Sequence, residues 1–462
     1  MFNICLATDS YKIWHWNGYL KNTENVYSYL EARNGAKFNK TVVFGIQYNL
    51  KKYLEGKVVT QEKIDEAEAT IDKHLGKGFF NREGWEYILN KYNGYLPVRI
   101  KAVPEGTPID VNNVLMTIEC TENSNKLCWL TNFLESQLLH SWYPMTVCTL
   151  SREIKILINS YLIETANNND GLDFMLQDFG LRGVSSYESA EIGSTAHMVN
   201  FKGTDTVPAL KIPEQYYGCK TMPGFSVAAT EHSIMTSRGE IGEWEVLENI
   251  FNNTPNGILS LVIDSYDFER FIRTCGEKYK DIILNRNGTT VFRPDSGDPI
   301  TVTITCLNLL EEYFGCTRNS KGFKVLNSKV RVLWGDGIDY DGVRSILFAM
   351  RNNMYSAENI ACFGMGGGLL QKVDRDTQRF AFKCSSQYYD NAWHDVWKKP
   401  KDLSKASKRG RLALIKNQTG KFETIREEDL NGRDNVLKTI FENGKIIKVY
   451  TWEEVCENAA IN

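Results

Sequence analysis

Between about residues 170 and 375 the chain repeats one pattern. Short apolar runs stop abruptly at polar or glycine-rich signatures, and amphipathic stretches follow. The runs cover 174–176, 198–201, 258–263, 289–292, 330–334 and 360–363. Segments apolar at successive positions suit strands buried on both faces. The segment 341–350 predicts a helix, with Val343, Ile346, Leu347 and Met350 on one face. Strand, loop and helix repeated six times predict a (β/α) barrel whose chemistry sits on the loops after the strands. A doubly wound sheet produces the same alternation.

The flanking zones have a different texture. Residues 1–150 hold aromatic strand candidates at 25–30 and 41–45 and a helix at 61–75. A β-rich patch at 98–119 is punctuated by Pro104-Glu105-Gly106 and Asn112-Asn113. The zone from 376 onward is mixed. Within it, 398–411 carries seven basic residues against Asp402 alone, a local charge of +6. Such a run reads as a solvated loop, a phosphate clamp or a nucleic-acid arm.

Composition removes several classes. Lys plus Arg is 54 and Asp plus Glu is 57, so the net charge of −3 excludes a globally basic nucleic-acid binder. The eleven cysteines are scattered, with no Cys-x-x-Cys pair. That argues against a zinc site or a disulfide framework and for reduced thiols in the cytoplasm. The most apolar region, 129–150, is broken by Glu135, His140 and Pro144, so no membrane span is expected. Residues 1–12 lack a basic region and a long apolar core, so no signal peptide is expected.

The strand-end signatures carry the candidate chemistry. Gly364-Met365-Gly366-Gly367-Gly368 lets backbone N–H groups approach a phosphate, or else forms a tight turn of positive φ. Arg293-Pro294-Asp295 pairs a guanidinium with a carboxylate able to hold a ribose diol, and Gly335-Asp336-Gly337 repeats the exposed carboxylate. Either carboxylate could instead cap a helix. No Walker loop and no dinucleotide fingerprint occurs, so any ATP is held otherwise. His232 follows Glu231, and the strand-end Asp264 could orient its imidazole.

These residues, with Ala7-Thr8-Asp9-Ser10-Tyr11-Lys12, Asp178-Phe179-Gly180-Leu181-Arg182-Gly183 and Lys202-Gly203-Thr204-Asp205, closely resemble the nicotinamide phosphoribosyltransferase family. The likeness runs nearly end to end, in order. It implies an α/β fold: an irregular (β/α) barrel of the type II phosphoribosyltransferase kind over 166–375, and an α/β sandwich from 1–165 and 376–462. It implies synthesis of nicotinamide mononucleotide from nicotinamide and phosphoribosyl pyrophosphate, and a homodimer with active sites at the interface.

By the resemblance, Phe179 stacks on the nicotinamide ring and Tyr11 of a partner subunit on its other face. Arg182 and Asp205 flank the carboxamide, which favours nicotinamide over nicotinate. Arg293, Asp295, Gly335, Asp336, Gly366, Gly367 and Arg375 hold the ribose and 5′-phosphate. Arg33, Lys383, Lys398 and Lys405 bind pyrophosphate or ATP phosphates. His232 is phosphorylated from ATP and Asp264 orients it, with Mg²⁺ arriving on the phosphate substrates and no dedicated metal site in the protein. Neither nucleic acid nor membrane is an expected partner. Three departures stand out: Met365 before the glycines, Leu181 between Phe179 and Arg182, and a short loop after Arg33. The competing readings are a nicotinate phosphoribosyltransferase and a non-catalytic nucleotide-binding relative.

Overall fold

The computed structural model describes residues 2–398 and 407–461, so Lys405 lies outside the described residues. The chain divides into two compact units. One comprises Met1–Thr149, Pro213–Cys219 and Asp374–Ala460; the other comprises Leu150–Ile212 and Lys220–Val373.

The first unit is organised by a seven-stranded antiparallel sheet. Its order is Ala392–Asp395, Phe380–Tyr389, Asn25–Ala32, Val114–Cys120, Val98–Ala102, Lys438–Glu442 and Lys445–Ile446. Strands from both ends of the sequence therefore share one ladder. Asn25–Ala32 and Val114–Cys120 are buried throughout, as central strands must be. Gln61–His74 is a helix with Ile64, Ala67 and Ile71 buried, and Thr60 caps it. The strand expected at 41–45 ends early, at Val42. Buried Glu105 accepts from the N–H groups of Gly45 (3.1 Å) and Gln47 (2.5 Å), which turns the chain into the helix Ile46–Asn49. The segment Pro213–Cys219 belongs here because Tyr217 stacks on Phe44 at 5.4 Å and donates to Glu105 at 2.8 Å.

The second unit contains a seven-stranded parallel sheet. Its order is Gly203–Thr204, Leu176–Asp178, Ile360–Met365, Val330–Trp334, Thr290–Arg293, Leu259–Val262 and Ala228–Ala229. The sheet curls toward closure through one short segment. Phe225 bridges to Gly203, and three residues later Ala228 pairs with Leu259. Both edges of the sheet are thus bonded to 225–229, which distinguishes an irregular barrel from an open doubly wound sheet. The helix Tyr340–Asn352 buries Val343, Ile346, Leu347 and Met350, the face expected from the spacing.

Two apolar runs were displaced from their expected role. The run 198–201 is not a strand: Asn200 and Phe201 donate back to the His197 carbonyl at 2.9 and 3.1 Å, finishing the helix Tyr187–Met198. The strand begins only at Gly203. The run 174–176 is strand only at its end: Phe174 closes the 3-10 turn Leu172–Phe174, and the strand is Leu176–Asp178. Ala228–Ala229, a seventh strand of two small residues, has no periodic signature to betray it.

Candidate active site

Each strand of the curled sheet delivers a chemical group just beyond its C-terminal end. Phe179 follows Leu176–Asp178, Asp205 follows Gly203–Thr204, and His232 follows Ala228–Ala229. Asp264, Asp295, Gly335–Asp336 and Gly366–Gly367 follow the remaining four. The parallel direction of the sheet puts all seven ends on one rim.

A cavity of about 220 Å³ opens there. Phe179, Arg182, Arg293, Asp295, Gly335, Gly366 and Gly367 line it, joined by Gly183, Gly337, Ile338, Gly368 and Lys372. Lys372 was not singled out by the sequence. Its signal was the basic residue closing the glycine stretch, within reach of the same cavity.

The glycines resolve the choice left open by sequence. None of those at 364–368 has a positive φ. They serve close approach instead. A Cβ on Gly364 would sit 2.0 Å from the Phe179 ring, and one on Gly366 would sit 3.2 Å from the Phe179 carbonyl. Gly367 has no atom within 4 Å of its virtual Cβ, which leaves its backbone bare to the cavity. The following helix, Gly367–Leu370, has only four residues, so its dipole adds little. Bare N–H groups and nearby cations make the anion-binding character. Met365 is fully buried, and its Cγ lies 3.2 Å from where a Cβ on the cavity-lining Gly368 would stand. In the neighbouring turn Gly337 does need its glycine, at φ 60°.

Hydrogen bonds order the acidic side of the rim. His232 Nε2 lies 3.1 Å from Asp264 Oδ1. The other oxygen, Asp264 Oδ2, accepts from the Asp295 N–H at 3.0 Å and from the Ser296 hydroxyl. The His232 side chain is 47% exposed and Asp264 only 7%. Asp264 is therefore an anchored support presenting an open imidazole. Burial raises the Asp295 carboxyl above its ordinary range; Arg293 and His232 oppose this while Asp264 and Asp336 reinforce it. Arg293 donates to the Thr230 carbonyl at 2.8 Å, while its buried Nε has no partner. A buried guanidinium nitrogen without an acceptor is matched by an anionic ligand.

Asp205 is held differently. Its Oδ1 accepts from Gln177 Nε2 at 2.8 Å and from Ser226 Oγ at 2.5 Å. Its own N–H donates to the Asp178 carbonyl at 3.0 Å, adjacent in sequence to Phe179.

The remaining expected residues lie in the first unit. Arg33, Arg375 and Lys383 line a cavity of about 510 Å³ there, together with Arg379 and Glu135. Arg375, expected with the ribose 5′-phosphate group, thus shares this cavity with Arg33 and Lys383. Arg379 is a further cation that sequence reasoning missed; it donates to the Asn34 carbonyl at 3.0 Å. Buried Arg33 Nη2 has no partner. Burial lowers the Lys383 ammonium below its ordinary range, with Glu135 opposing and Arg33, Lys398 and Lys12 adding like charge. Four cations against Glu135 and Asp376 leave the cavity lining net positive, which suits a polyphosphate. Two residues of the basic run are already paired: Lys408 with Glu31, and Arg411 with Glu119 and Glu427. Tyr11 stands in the first unit, 57% exposed, with His15 edge-on at 5.3 Å.

The profile of the nicotinate phosphoribosyltransferase (NAPRTase) family matches residues 174–445, and that of the nicotinamide phosphoribosyltransferase N-terminal domain matches residues 3–100. A nicotinamide phosphoribosyltransferase of Xanthomonas campestris is 44% identical, covering 99% of this chain and 98% of the relative. The chain belongs to the nicotinamide phosphoribosyltransferase family. A second member, from Acinetobacter baylyi, is 31% identical over 98% of this chain and 96% of its own. Among solved structures, a nicotinate-nucleotide pyrophosphorylase from Pyrococcus furiosus superposes with a TM-score of 0.62 at 15% identity, covering 99% and 95% of the two chains. Human nicotinic acid phosphoribosyltransferase gives 0.59 at 13%, covering 98% and 92%. The fold is therefore that of the type II phosphoribosyltransferases, and the protein is a phosphoribosyltransferase.

Among the described residues, no group of three or more His, Cys, Asp or Glu side chains is placed to hold a metal ion. The eleven cysteines are all free thiols, and no described helix is long and apolar enough to cross a membrane.

Proposed function

We propose that the protein transfers the phosphoribosyl group of phosphoribosyl pyrophosphate to nicotinamide, releasing nicotinamide mononucleotide and pyrophosphate. The reading rests on one observation: a single cavity lined by an aromatic ring, a glycine stretch, a carboxylate and two arginines. Phe179 supplies a stacking face whose attraction grows as the ring becomes a pyridinium cation. Asp295 and Asp336 hold the ribose hydroxyls. Gly366, Gly367, Arg293 and Lys372 take the 5′-phosphate.

In the reaction the C1–O bond to pyrophosphate breaks and its electron pair leaves with pyrophosphate. The ring nitrogen's lone pair then forms the new C1–N bond. No protein nucleophile is required. Positioning and charge stabilisation of an oxocarbenium-like centre supply the rate. Mg²⁺ fits this site as a substrate-borne ion. Asp264, Asp295 and Asp336 concentrate negative charge without forming a cage, so phosphate oxygens would complete its shell. When bound, it neutralises the pyrophosphate leaving group.

ATP coupling belongs to the same proposal. With Nε2–H donated to Asp264, the His232 Nδ1 carries the lone pair and faces away from its support. Nδ1 attacks the γ-phosphorus of ATP, the N–P bond forms and the bond to ADP breaks. In the first unit Arg33, Arg375, Arg379 and Lys383 form a cavity of their own that suits a polyphosphate. The exposed Tyr11 ring supports a homodimer in which it completes a neighbour's nicotinamide site. Free thiols are consistent with a cytoplasmic enzyme.

The test is mononucleotide formation from nicotinamide or nicotinate with phosphoribosyl pyrophosphate, with and without ATP. Nicotinamide is expected as the preferred substrate, and His232→Ala is expected to keep weak transfer but lose ATP stimulation. Preference for nicotinate would overturn the amide assignment, and undiminished ATP stimulation in the variant would remove the phosphohistidine.

A further inference from the structure

The corner around Asp205 has an unusual donor count. Gln177 Nε2 has two hydrogens; one goes to Asp205 Oδ1 at 2.8 Å and the other faces the Phe225 carbonyl at 3.5 Å. The Ser226 hydroxyl hydrogen also goes to Oδ1, at 2.5 Å. Both side chains that donate to Asp205 thus converge on one carboxylate oxygen. Among the described residues, none donates to Asp205 Oδ2. That oxygen is left as an open acceptor.

Backbone packing keeps it so. Gln177 pairs directly with Gly203 across the sheet, and a Cβ at 203 would sit 2.3 Å from Gln177 Oε1. The amide lies flat against the bare glycine with its oxygen on that side. Flipping it would turn Oε1 toward two acceptors, Asp205 and the Phe225 carbonyl. Ser226 is set by the segment that curls the sheet: Phe225 N–H donates to the Lys202 carbonyl at 2.7 Å and Thr204 N–H to the Phe225 carbonyl at 3.0 Å.

We propose that Gln177 and Ser226 are positioning residues that hold Asp205 through Oδ1 with Oδ2 left as an open acceptor, and so select a carboxamide over a carboxylate on the pyridine ring. This rests on the nicotinamide reading above and deepens it. A carboxamide NH₂ donates to Oδ2, whereas a carboxylate placed there meets a fixed oxygen of like charge. Neither residue touches the reacting atoms; both act through Asp205.

The experiment compares kcat and KM for nicotinamide and nicotinate in wild type, Gln177→Leu, Ser226→Ala and Ser226→Thr, with the KM for phosphoribosyl pyrophosphate as control. Ser226 is exposed, so its variants report even if the change at half-buried Gln177 impairs folding. In Gln177→Leu and Ser226→Ala the nicotinamide KM should rise about tenfold, as expected when a charge-assisted hydrogen bond is lost. Their kcat should change less than about threefold, and the nicotinamide-to-nicotinate ratio of kcat/KM should fall about tenfold. Ser226→Thr, which keeps the hydroxyl, should keep the wild-type ratio. A ratio unchanged in both Gln177→Leu and Ser226→Ala, in a wild type that prefers nicotinamide, overturns the proposal. So does an equal loss for both ring substrates together with a raised phosphoribosyl pyrophosphate KM, which marks a merely structural role. A wild type that prefers nicotinate instead removes the underlying reading.

Discussion

Replacing Gly364 by alanine tests whether the Phe179 ring is locked by a missing side chain. Gly364 is buried within the strand Ile360–Met365, and its φ is not positive, so alanine meets no backbone strain. The added Cβ would lie 2.0, 2.5 and 2.9 Å from three atoms of the Phe179 ring. Ordinary carbon contact needs ~3.5 Å, so something must retreat by about 1.5 Å. The backbone cannot do so cheaply. Gly364 pairs with Gln177 in the ladder, and the Phe179 N–H donates to the Met365 carbonyl at 3.0 Å. The ring therefore moves, out of the plane in which it would meet a substrate ring. Overpacking of this kind costs about 1–3 kcal/mol of stability. Loss of aromatic stacking and of its cation–π growth is worth ~1–3 kcal/mol more in transition-state binding. Thermal melts should show the first loss. Steady-state kinetics should show kcat/KM for nicotinamide lowered roughly 5- to 150-fold. A variant that melts early yet keeps wild-type kcat/KM would refute the argument, because the ring's position would then be irrelevant to the ring substrate.

Gly367→Ala is the complementary change: its Cβ meets no protein atom and points into open cavity. Its melting temperature should stay near wild type while the phosphoribosyl pyrophosphate KM rises about tenfold or more; an unchanged KM would remove the glycine stretch as the phosphate cradle. Glu243 predicts a pH effect on stability. Its side chain is 2% exposed, and burial raises its carboxyl to about 7, with Arg270 opposing and Glu240 reinforcing. The folded state then holds a proton that the unfolded chain releases near its ordinary ~4.3, so stability falls as pH rises from about 4 to 7. Glu243→Gln should match wild type near pH 4.5 and exceed it by on the order of 2 kcal/mol at pH 8 in denaturant titrations; a difference independent of pH would contradict this.

Much of the barrel was legible because its signals are local. Strands such as Val330–Trp334 are apolar along their length, and Tyr340–Asn352 carries its buried face at helical spacing. The chemical residues were legible for the same reason: each follows its own strand directly, as Asp264, Asp295 and Gly335 do. The failures share an opposite cause. At 198–201 the apolar run continued a helix because His197 recaptured the next N–H groups, and Ala228–Ala229 became a strand only through pairing with Leu259. Neither result is written in a local period.

The sequence alone determined the alternation of strands and helices, the groups at the strand ends and the family resemblance. The tertiary structure decided what those groups do for each other. Only pairing across strands shows that the glycines at 364–368 serve close approach rather than positive φ, that Arg375 keeps company with Arg33 and Lys383, and that Gln177 and Ser226 hold one oxygen of Asp205. The physical reason is range. Propensity and periodicity act over a few residues, whereas hydrogen bonds and steric contacts join residues 28 or 185 positions apart, as Gln177 does with Asp205 and Gly364 with Phe179.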